Sequence, residues 1–523
     1  MKRLLLFTFL SQIPVIYSLA QNLEEDNATV ITNISIITAN ERGNITTMIG
    51  YVAINKDSIV YVGKSKPMIK KGTKTINGKG KFIIPGLIDS HVHIASMAGL
   101  NGQLNKKYPE LVKPYFEQLP KSFLYFGYTT LIDLNNYAPQ IINKIKSSEL
   151  RPDIYTCGEQ VLVMNDFMME MEEYSPQERY SYPFLHDKYN TSIALPDSVD
   201  LNMHTPGKVV SRIVKEQRAI CIKMVYEDES TGLLVTWALP GKRILTDLAE
   251  EAQKQNIPFI LHAPSFESQK LAVETGVKII AHSMWNWSAD TSDFSNTVLS
   301  ADHKQLLTTI AEKQIGYQPT FRTITAENDL LSATFSSQKN LEHVFPKSFH
   351  DLIKSEEGQW GRQKILGRVN YLKKFRPDFY YAAKGNYTTD EEMFSEIYKL
   401  YKTKIGIVVK YLADKNANLL FGTDGVAMNM YTNPPGYNGF LEMKHWVDAG
   451  IPLNKIFTAA TINNANAFNL QHLYGSIEKG KASNLLILRS NPLKSIEAYN
   501  DIETVIIGGK VLKRESLSAT QLK

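Results

Sequence analysis

The chain has 523 residues, enough for one large barrel with a smaller domain or for two or three ordinary domains. Its apolar share of 43% and charged share of 21% are typical of a globular protein. The net charge of +5 is small for this length and the lysines are scattered, so nothing indicates a nucleic-acid-binding protein. After residue 20, no apolar run is long enough to span a bilayer.

Residues 1–20 have the pattern of a secretory signal peptide. A basic start is followed by an apolar run, and small residues stand at Ser18 and Ala20. This pattern predicts cleavage after Ala20 and export to a periplasm or to the outside of the cell. The alternative is a membrane anchor, which the interruptions at Gln12 and Pro14 disfavour.

The chain has two cysteines, Cys157 and Cys221, which excludes a fold held by several disulfides. Both fall in segments that read as adjacent buried strands. We therefore expect inert core thiols, with a single bridge between them as the alternative.

Both ends of the chain are rich in short strands separated by turns. Residues 21–80 and 473–515 show β-type alternation without a helical period. Neither segment has enough apolar surface for a core of its own. We predict one small β-sandwich domain built from both chain ends.

Between these ends, residues 81–472 alternate between strand and helix. Such alternation predicts a parallel sheet, and eight units favour a closed (β/α)8 TIM barrel of the α/β class. Two long connections, near residues 160–211 and 322–415, read as helical insertions. They lie over the active mouth or form a packing or oligomer surface. The eight expected strands are 82–84, 129–134, 154–157, 219–225, 258–262, 278–282, 315–319 and 418–423.

Polar residues follow the apolar runs at the ends of several expected strands. His91 and His93 alternate at the end of the first strand, so both side chains face one interior and suit a metal such as zinc. Because a barrel gathers the carboxyl ends of its strands at one mouth, we expect the later polar residues to join this pair. These residues are Lys223, His262, His282 and Asp424.

Four motifs make residues 30–513 resemble the amidohydrolase superfamily. The opening stretch at 83–93, Ile-Ile-Pro-Gly-Leu-Ile-Asp-Ser-His-Val-His, is similar to the signature of that superfamily. Residues 127–130, 460–467 and 475–482 resemble its second-strand, last-helix and domain-return motifs. The similarity is strongest to the branch that contains imidazolonepropionase-like proteins and Xaa-Pro dipeptidases.

This resemblance implies a binuclear metal site, with two zinc ions as the expected cofactors. His91, His93 and Asp424 are expected to bind the first ion, and His262 and His282 the second. Lys223 matches the lysine that is carboxylated and bridges both ions in the two-metal members, since a carbamate offers anionic oxygens where an ammonium would be repelled.

The expected activity is therefore hydrolysis of a carbon–nitrogen bond by metal-activated hydroxide, with Asp424 moving the proton. The substrate is expected to be a small molecule, dipeptide-like or a cyclic amide, and Tyr226 and Trp285 are expected to line its pocket. One alternative is a mononuclear deaminase or cyclic-amide hydrolase with unmodified Lys223. The other is a non-catalytic relative that keeps only the barrel.

Overall fold

The computed structural model describes residues 28–68, 70, 72–171, 179–180, 183–228, 237–288, 294–332, 334–385 and 387–521. The predicted signal peptide lies outside these ranges. Within them, no helix combines the length and the apolar content that crossing a membrane requires. The described strands are β1 (Thr29–Ala39), β2 (Ile45–Asn55), β3 (Ser58–Gly63), β4 (Lys74–Asn77), β5 (Phe82–Pro85), β6 (Leu87–Val92), β7 (Tyr128–Asp133), β8 (Asp153–Thr156), β9 (Ile222–Val225), β10 (Phe259–His262), β11 (Ile279–Ala281), β12 (Gly316–Gln318), β13 (Leu485–Leu488), β14 (Ile502–Ile507) and β15 (Lys510–Lys513).

Helices occupy most of the connections between barrel strands and most of the second long insertion. The helix that follows β10 shows how its bounds are set: Ser265 caps its start by accepting from the Ser268 amide at 3.0 Å, and Gly276 ends it in the left-handed region. The described α-helices are α1 (Gly102–Lys107), α2 (Val112–Tyr125), α3 (Pro139–Lys146), α4 (Phe167–Met171), α5 (Pro206–Gln217), α6 (Lys242–Lys254), α7 (Phe266–Thr275), α8 (Ala301–Glu312), α9 (Phe321–Leu331), α10 (Lys347–Lys354), α11 (Trp360–Phe375), α12 (Pro377–Lys384), α13 (Asp390–Asp414), α14 (Tyr437–Asp448), α15 (Leu453–Thr458) and α16 (Asn464–Ala467).

The two chain ends form one β domain. Its eight strands are hydrogen-bonded as a single mixed sheet in the order β15-β14-β13-β5-β1-β2-β3, with β4 paired to β1. β13 from the C-terminal end pairs antiparallel with β5 from the N-terminal end. The predicted β domain built from both chain ends is confirmed. Its strands, expected to form a sandwich, are hydrogen-bonded as one continuous sheet.

The barrel contains two runs of parallel strands. β6, β7 and β8 pair side by side, and so do β9, β10, β11 and β12. A backbone hydrogen bond of 3.0 Å from the Ile220 amide to the Thr156 carbonyl joins β8 to β9. The two runs therefore form one continuous wall.

The extended segment 418–425 occupies the place of the eighth strand and closes the barrel. The Leu420 amide donates to the carbonyl of Tyr317 in β12 at 2.9 Å, and the Ser90 amide of β6 donates to the carbonyl of Phe421 at 3.1 Å. This segment makes only isolated bridges with its neighbours. The predicted (β/α)8 barrel is confirmed, although its eighth member is less regular than expected.

Two sequence-based expectations were wrong. The first barrel strand is β6, not residues 82–84, because 82–84 belong to β5 of the terminal sheet. Cys157 and Cys221 are not inert thiols but form a disulfide that links the end of β8 to the start of β9. The open alternative, a single bridge, is therefore the observed state.

The two insertions differ in structure. Among the described residues of 160–211, α-helix occurs in the short α4, at residues 179–180 and in the first half of α5. Residues 322–415 instead contain most of α9 and all of α10 to α13. The second insertion packs on loops at the barrel mouth, where the Trp360 indole donates to the Gly99 carbonyl at 3.0 Å and the Tyr431 hydroxyl to the Gln359 amide oxygen at 3.2 Å.

Candidate active site

The carboxyl ends of the barrel strands bring polar side chains together at one mouth. The ring centroids of His91 and His282 are 5.1 Å apart, and those of His282 and His262 are 4.3 Å apart. Cys221 and Ile260 are buried in the barrel core, and each lies two residues before a polar residue, Lys223 and His262 respectively. Because alternate residues of a strand point to the same side, Lys223 and His262 also point into the barrel. The structure thus gathers His91, His93, Lys223, His262, His282 and Asp424 in one place.

His91, His93 and Asp424 form the tightest part of this cluster. The Nε2 atoms of His91 and His93 lie 3.2 and 3.0 Å from the same oxygen, Oδ1 of Asp424. Ligand atoms of all three residues lie within 4.8 Å of one another. Two imidazoles and a carboxylate are the donor types that zinc prefers, so the cluster fits a metal ion of this kind.

The electrostatics of this cluster favour unprotonated ligands. Burial, together with Lys223, lowers the pKa of His91 to about 3, so its ring is neutral at neutral pH and keeps a lone pair. Burial alone would raise the pKa of Asp424, but His91, His93 and His282 outweigh it and hold that pKa well below its usual value. The Nδ1 atom of His91 is buried and has no hydrogen-bond partner among the described residues.

Lys223 is buried beside this cluster, with only 3% of the residue exposed. Burial lowers the pKa of its amine to about 7, and the nearby Asp424 carboxylate only partly opposes this shift. A substantial fraction of Lys223 is therefore a neutral amine at neutral pH. A neutral amine is the form that reacts with carbon dioxide to give a carbamate.

Glu227, which the sequence analysis missed, contacts His262. Its Oε2 atom lies 2.5 Å from Nε2 of His262, and only 11% of its side chain is exposed. This contact commits Nε2 and leaves Nδ1 of His262 as the nitrogen available to a metal. The only sequence signal for Glu227 was its position four residues after Lys223, just beyond the end of β9.

Two threonines after β12 were also missed. The Thr320 hydroxyl lies 2.7 Å from Nδ1 of His282, and the Thr323 hydroxyl donates to Oδ2 of Asp424 at 3.1 Å. Both follow the seventh expected strand, where a barrel places functional groups, so their position was the available signal.

Asp89 fixes the backbone around this cluster. Its carboxyl accepts from the Thr423 hydroxyl at 2.7 Å, from the Thr423 amide at 3.1 Å and from the His91 amide at 3.3 Å. Burial raises the pKa of Asp89 to about 7. Asp89 therefore ties the loop before Asp424 to the strand that carries His91.

The residues expected to line a substrate pocket flank the second pair of histidines. The Tyr226 amide donates to the His262 carbonyl at 3.1 Å, and the Tyr226 side chain is half-buried. Trp285 is 8% exposed, and its ring lies 5.8 Å from that of His282. Trp285 therefore lies beside the site, largely as part of the packing, whereas for Tyr226 it is the backbone that contacts the strand of His262.

Known proteins share parts of this sequence and its fold. Residues 400–512 match the Amidohydrolase family. An imidazolonepropionase from Fusobacterium nucleatum subsp. nucleatum is 32% identical over 113 residues, which are 20% of this chain and 25% of that protein. An adenine deaminase from Clostridium perfringens is 39% identical over 57 residues, 11% of this chain and 10% of that protein. The chain thus spans a quarter or less of the length of these two curated relatives.

A solved structure extends the similarity to nearly the whole fold. A Xaa-Pro dipeptidase with methionine bound in its active site superposes with a TM-score of 0.57 at 16% identity, covering 93% of this chain and 100% of that chain. At this identity the match shows the fold. The C-terminal part of the chain therefore matches the Amidohydrolase family, and its barrel and β domain have the fold of this dipeptidase.

Proposed function

We propose that this protein is a metal-dependent hydrolase that cleaves a carbon–nitrogen bond in a peptide-like or cyclic amide. The observation that carries the proposal is the convergence of His91, His93 and Asp424 with three further ligand-type residues at the carboxyl-end mouth of the barrel. The sequence match to an imidazolonepropionase and the fold match to a Xaa-Pro dipeptidase support this reaction class.

The donor set fits two zinc ions. His91, His93 and Asp424 would hold the first, and His262 and His282 would hold the second. Lys223, as a carbamate, would be a ligand shared by both ions, which its burial beside Asp424 and its lowered pKa of about 7 support. When bound, such ions lower the pKa of a water molecule enough to give hydroxide at neutral pH.

Asp424 moves the proton during hydrolysis. Its lowered pKa keeps it a carboxylate at neutral pH, so it accepts the proton that the nucleophilic water loses. The water oxygen forms a bond to the carbonyl carbon, the carbon–nitrogen bond breaks, and Asp424 delivers the proton to the leaving nitrogen. Tyr226 and Trp285 border the space beside this reaction and help to exclude water from it.

A mononuclear deaminase or cyclic-amide hydrolase is the second candidate. The short match to an adenine deaminase favours it, and so does the fact that His91, His93 and Asp424 alone form a compact ligand group among the described residues. In that case Lys223 stays an unmodified amine. The number of ions per chain separates the two candidates.

We also propose that the protein is exported. The pattern of residues 1–20 supports export, and the disulfide between Cys157 and Cys221 is the kind of bond that persists in an oxidising compartment.

Activity on a panel of dipeptides, N-acyl amino acids and cyclic amides tests the reaction. We expect hydrolysis that a chelator abolishes and zinc restores. Lys223→Ala should lower kcat/KM at least about 100-fold, because both metal positions lose a shared ligand. Lys278→Ala is the matched control, since Lys278 is exposed at the opposite end of a barrel strand. Hydrolysis that survives complete metal removal contradicts the proposal.

A further inference from the structure

We propose that the barrel mouth has an apolar rim beside His93 and Asp424 that binds an apolar group of the substrate. The rim consists of Met97, Tyr137 and Met428. The inference rests on the proposed function, because it names the kind of group that the substrate of that same site carries. It makes these three side chains specificity-determining residues for an aliphatic or aromatic side chain of a dipeptide-like amide.

The rim comes from three neighbouring members of the barrel. β7 pairs with β6, and β6 lies beside the segment 418–425. The loops that follow these three members are residues 94–99, 134–138 and 426–430. Because each loop leaves the carboxyl end of its strand, the three lie side by side at the mouth. Each loop contributes one residue of the rim.

Hydrogen bonds hold the three loops against one another. The Met97 amide donates to Oδ1 of Asn429 at 3.3 Å, and the Gly99 amide donates to the Asn429 carbonyl at 2.7 Å. The hydroxyls of Ser96 and Tyr137 lie 3.1 Å apart. The loop after β6 therefore contacts both of the other loops, so the rim residues belong to one surface.

The rim exposes large apolar side chains in place of burying them. Tyr137 is 57% exposed and Met428 is 45% exposed, whereas Met97 is half-buried and packs partly on the core. Met428 has a φ of 58°, in the left-handed region that residues other than glycine rarely adopt. A residue kept in this conformation by its surroundings is typical of a functional position. Exposed apolar side chains that are grouped at a barrel mouth are typical of a ligand site.

The charge of the loops determines the kind of group that the rim accepts. None of the three loops contains an acidic or basic residue, whereas the loop after β9 carries Glu227 and Asp228. A charged substrate group at the rim would lose water and find no opposite charge in these loops. An apolar group instead removes the surfaces of the methionines and the tyrosine from water, and methionine adapts to varied shapes. The rim therefore suits an aliphatic or aromatic group.

Dipeptides that differ in one side chain test this inference. Leucine, alanine or aspartate is placed at either position, with glycine at the other, and the zinc-loaded protein is assayed. At one of the two positions, kcat/KM should be about tenfold higher for leucine than for alanine and lowest for aspartate. Equal kcat/KM for all three side chains at both positions overturns the inference.

Variants of the rim assign the preference to its residues. Met428→Ala and Tyr137→Ala should each lower the leucine-to-alanine ratio of kcat/KM at least about threefold, mainly through KM, because apolar contact area is lost. Met428→Leu and Tyr137→Phe keep an apolar side chain and should hold the ratio within about twofold of the wild-type value. A ratio that stays at the wild-type value in both alanine variants overturns the inference.

Ile49→Ala is the matched control. Ile49 is 71% exposed in β2 of the terminal sheet, so this variant removes an exposed apolar side chain outside the rim. A ratio that falls as far in Ile49→Ala as in Met428→Ala contradicts a specific role for the rim.

Calorimetric binding separates this inference from the proposed function. If the zinc-loaded wild-type protein hydrolyses no substrate, the proposed function fails, and binding of the same dipeptides to that protein still decides the role of the rim. Tighter binding of a leucine dipeptide than of its alanine counterpart, with the difference removed by Met428→Ala, supports the rim. Equal binding of the two dipeptides, or no binding of either, overturns it.

Discussion

Two imidazoles at the mouth each have one nitrogen committed to a neighbouring side chain. Nε2 of His262 faces Glu227, and Nδ1 of His282 faces Thr320. A partner of this kind fixes the ring and the tautomer, and loss of such partners typically costs 10- to 100-fold in metal affinity or activity. If these imidazoles bind the proposed metal ions, Glu227 and Thr320 should matter nearly as much as the imidazoles themselves.

Glu227 gives a direct test at this scale. Glu227→Leu removes the acceptor for His262, so zinc affinity should fall about 10- to 100-fold. Glu227→Gln keeps an acceptor oxygen without the charge, so its zinc affinity should fall less. Isothermal titration of the metal-free protein measures both.

Glu274→Leu is the matched control for this experiment. Glu274 is an exposed acid on α7 that pairs with Lys242, away from the site ligands. Equal zinc affinity in Glu227→Leu and the wild-type protein would show that His262 needs no such partner.

At the residue scale, the sequence predicted ligand types better than their partners. His262 and Asp424 stand directly after apolar runs, where a barrel exposes its functional groups, so their convergence follows from the period of the strands. Glu227, Thr320 and Thr323 lie in loops after the strands. Their contacts depend on loop conformation, including a positive φ at Thr320, which no periodic pattern encodes.

At the scale of elements, the start of α9 depends on a buried acid in α14. Glu442 accepts from the amides of Phe321 and Arg322 and from the indole of Trp446 at 2.8 Å. Burial raises the pKa of Glu442 to about 7 against the opposing effect of these hydrogen bonds. Since α9 carries Thr323, this contact joins a packing element to the site.

The raised pKa of Glu442 predicts a pH dependence of stability. A carboxyl whose pKa is higher in the folded state contributes stability that is complete below its unfolded pKa of about 4.3 and is lost as the pH rises through about 7. The Gln of Glu442→Gln does not titrate. The free energy of unfolding of the wild-type protein, relative to this variant, should therefore fall by about 2–3 kcal/mol from pH 5 to pH 8.

Urea unfolding of the metal-free proteins across this pH range measures that difference. Using the difference between the two proteins cancels the other buried groups that titrate in both. A difference that is constant with pH would show that Glu442 has the same pKa in the folded and unfolded chains.

The disulfide joins two neighbouring barrel strands at their less regular junction. Cys157 and Cys221 are separated by 64 residues, so their bond closes a long loop that includes the first insertion. The Cys157→Ser and Cys221→Ser double variant should lose about 2–4 kcal/mol of stability. Urea unfolding with and without a reductant measures this loss, and a wild-type midpoint insensitive to reduction would contradict it.

The element assignments fail where the sequence carries no boundary signal. β5 and β6 are separated only by Gly86, so one apolar run covers a strand of the terminal sheet and a strand of the barrel. A β-carbon at position 86 would lie 2.0 Å from the Thr129 hydroxyl oxygen, so a glycine is needed there. Few of the connections between barrel strands show a clear helical period in the sequence. The other helices depend on packing against the barrel.

At the scale of the whole molecule, the two chain ends meet in one sheet. β13 lies between β5 and β14, so the C-terminal strands complete a sheet that the N-terminal strands begin. The sequence predicted this meeting because neither end has enough apolar surface alone. The sequence does not decide whether the second insertion covers the barrel mouth, because a hydrophobic pattern does not show on which loops a helix packs.

Export is tested on the full chain produced in a secretion-competent bacterial host. Intact mass of the secreted or periplasmic protein should show a mature chain that begins at Gln21, because Ser18 and Ala20 match a cleavage site. The same sample should contain no free thiol if the disulfide forms on export. A chain that keeps Met1 and stays in the cytoplasm would contradict export.

The number of metal ions per chain tests the central claim most directly. Elemental analysis of the purified mature protein, with Lys223→Ala and Lys278→Ala beside it, counts them. We expect about two zinc-like ions in the wild-type protein and in Lys278→Ala, and fewer than about one in Lys223→Ala, because the bridging ligand is lost. One ion in all three proteins would favour the mononuclear site, and no ion in the wild-type protein would contradict metal-dependent hydrolysis.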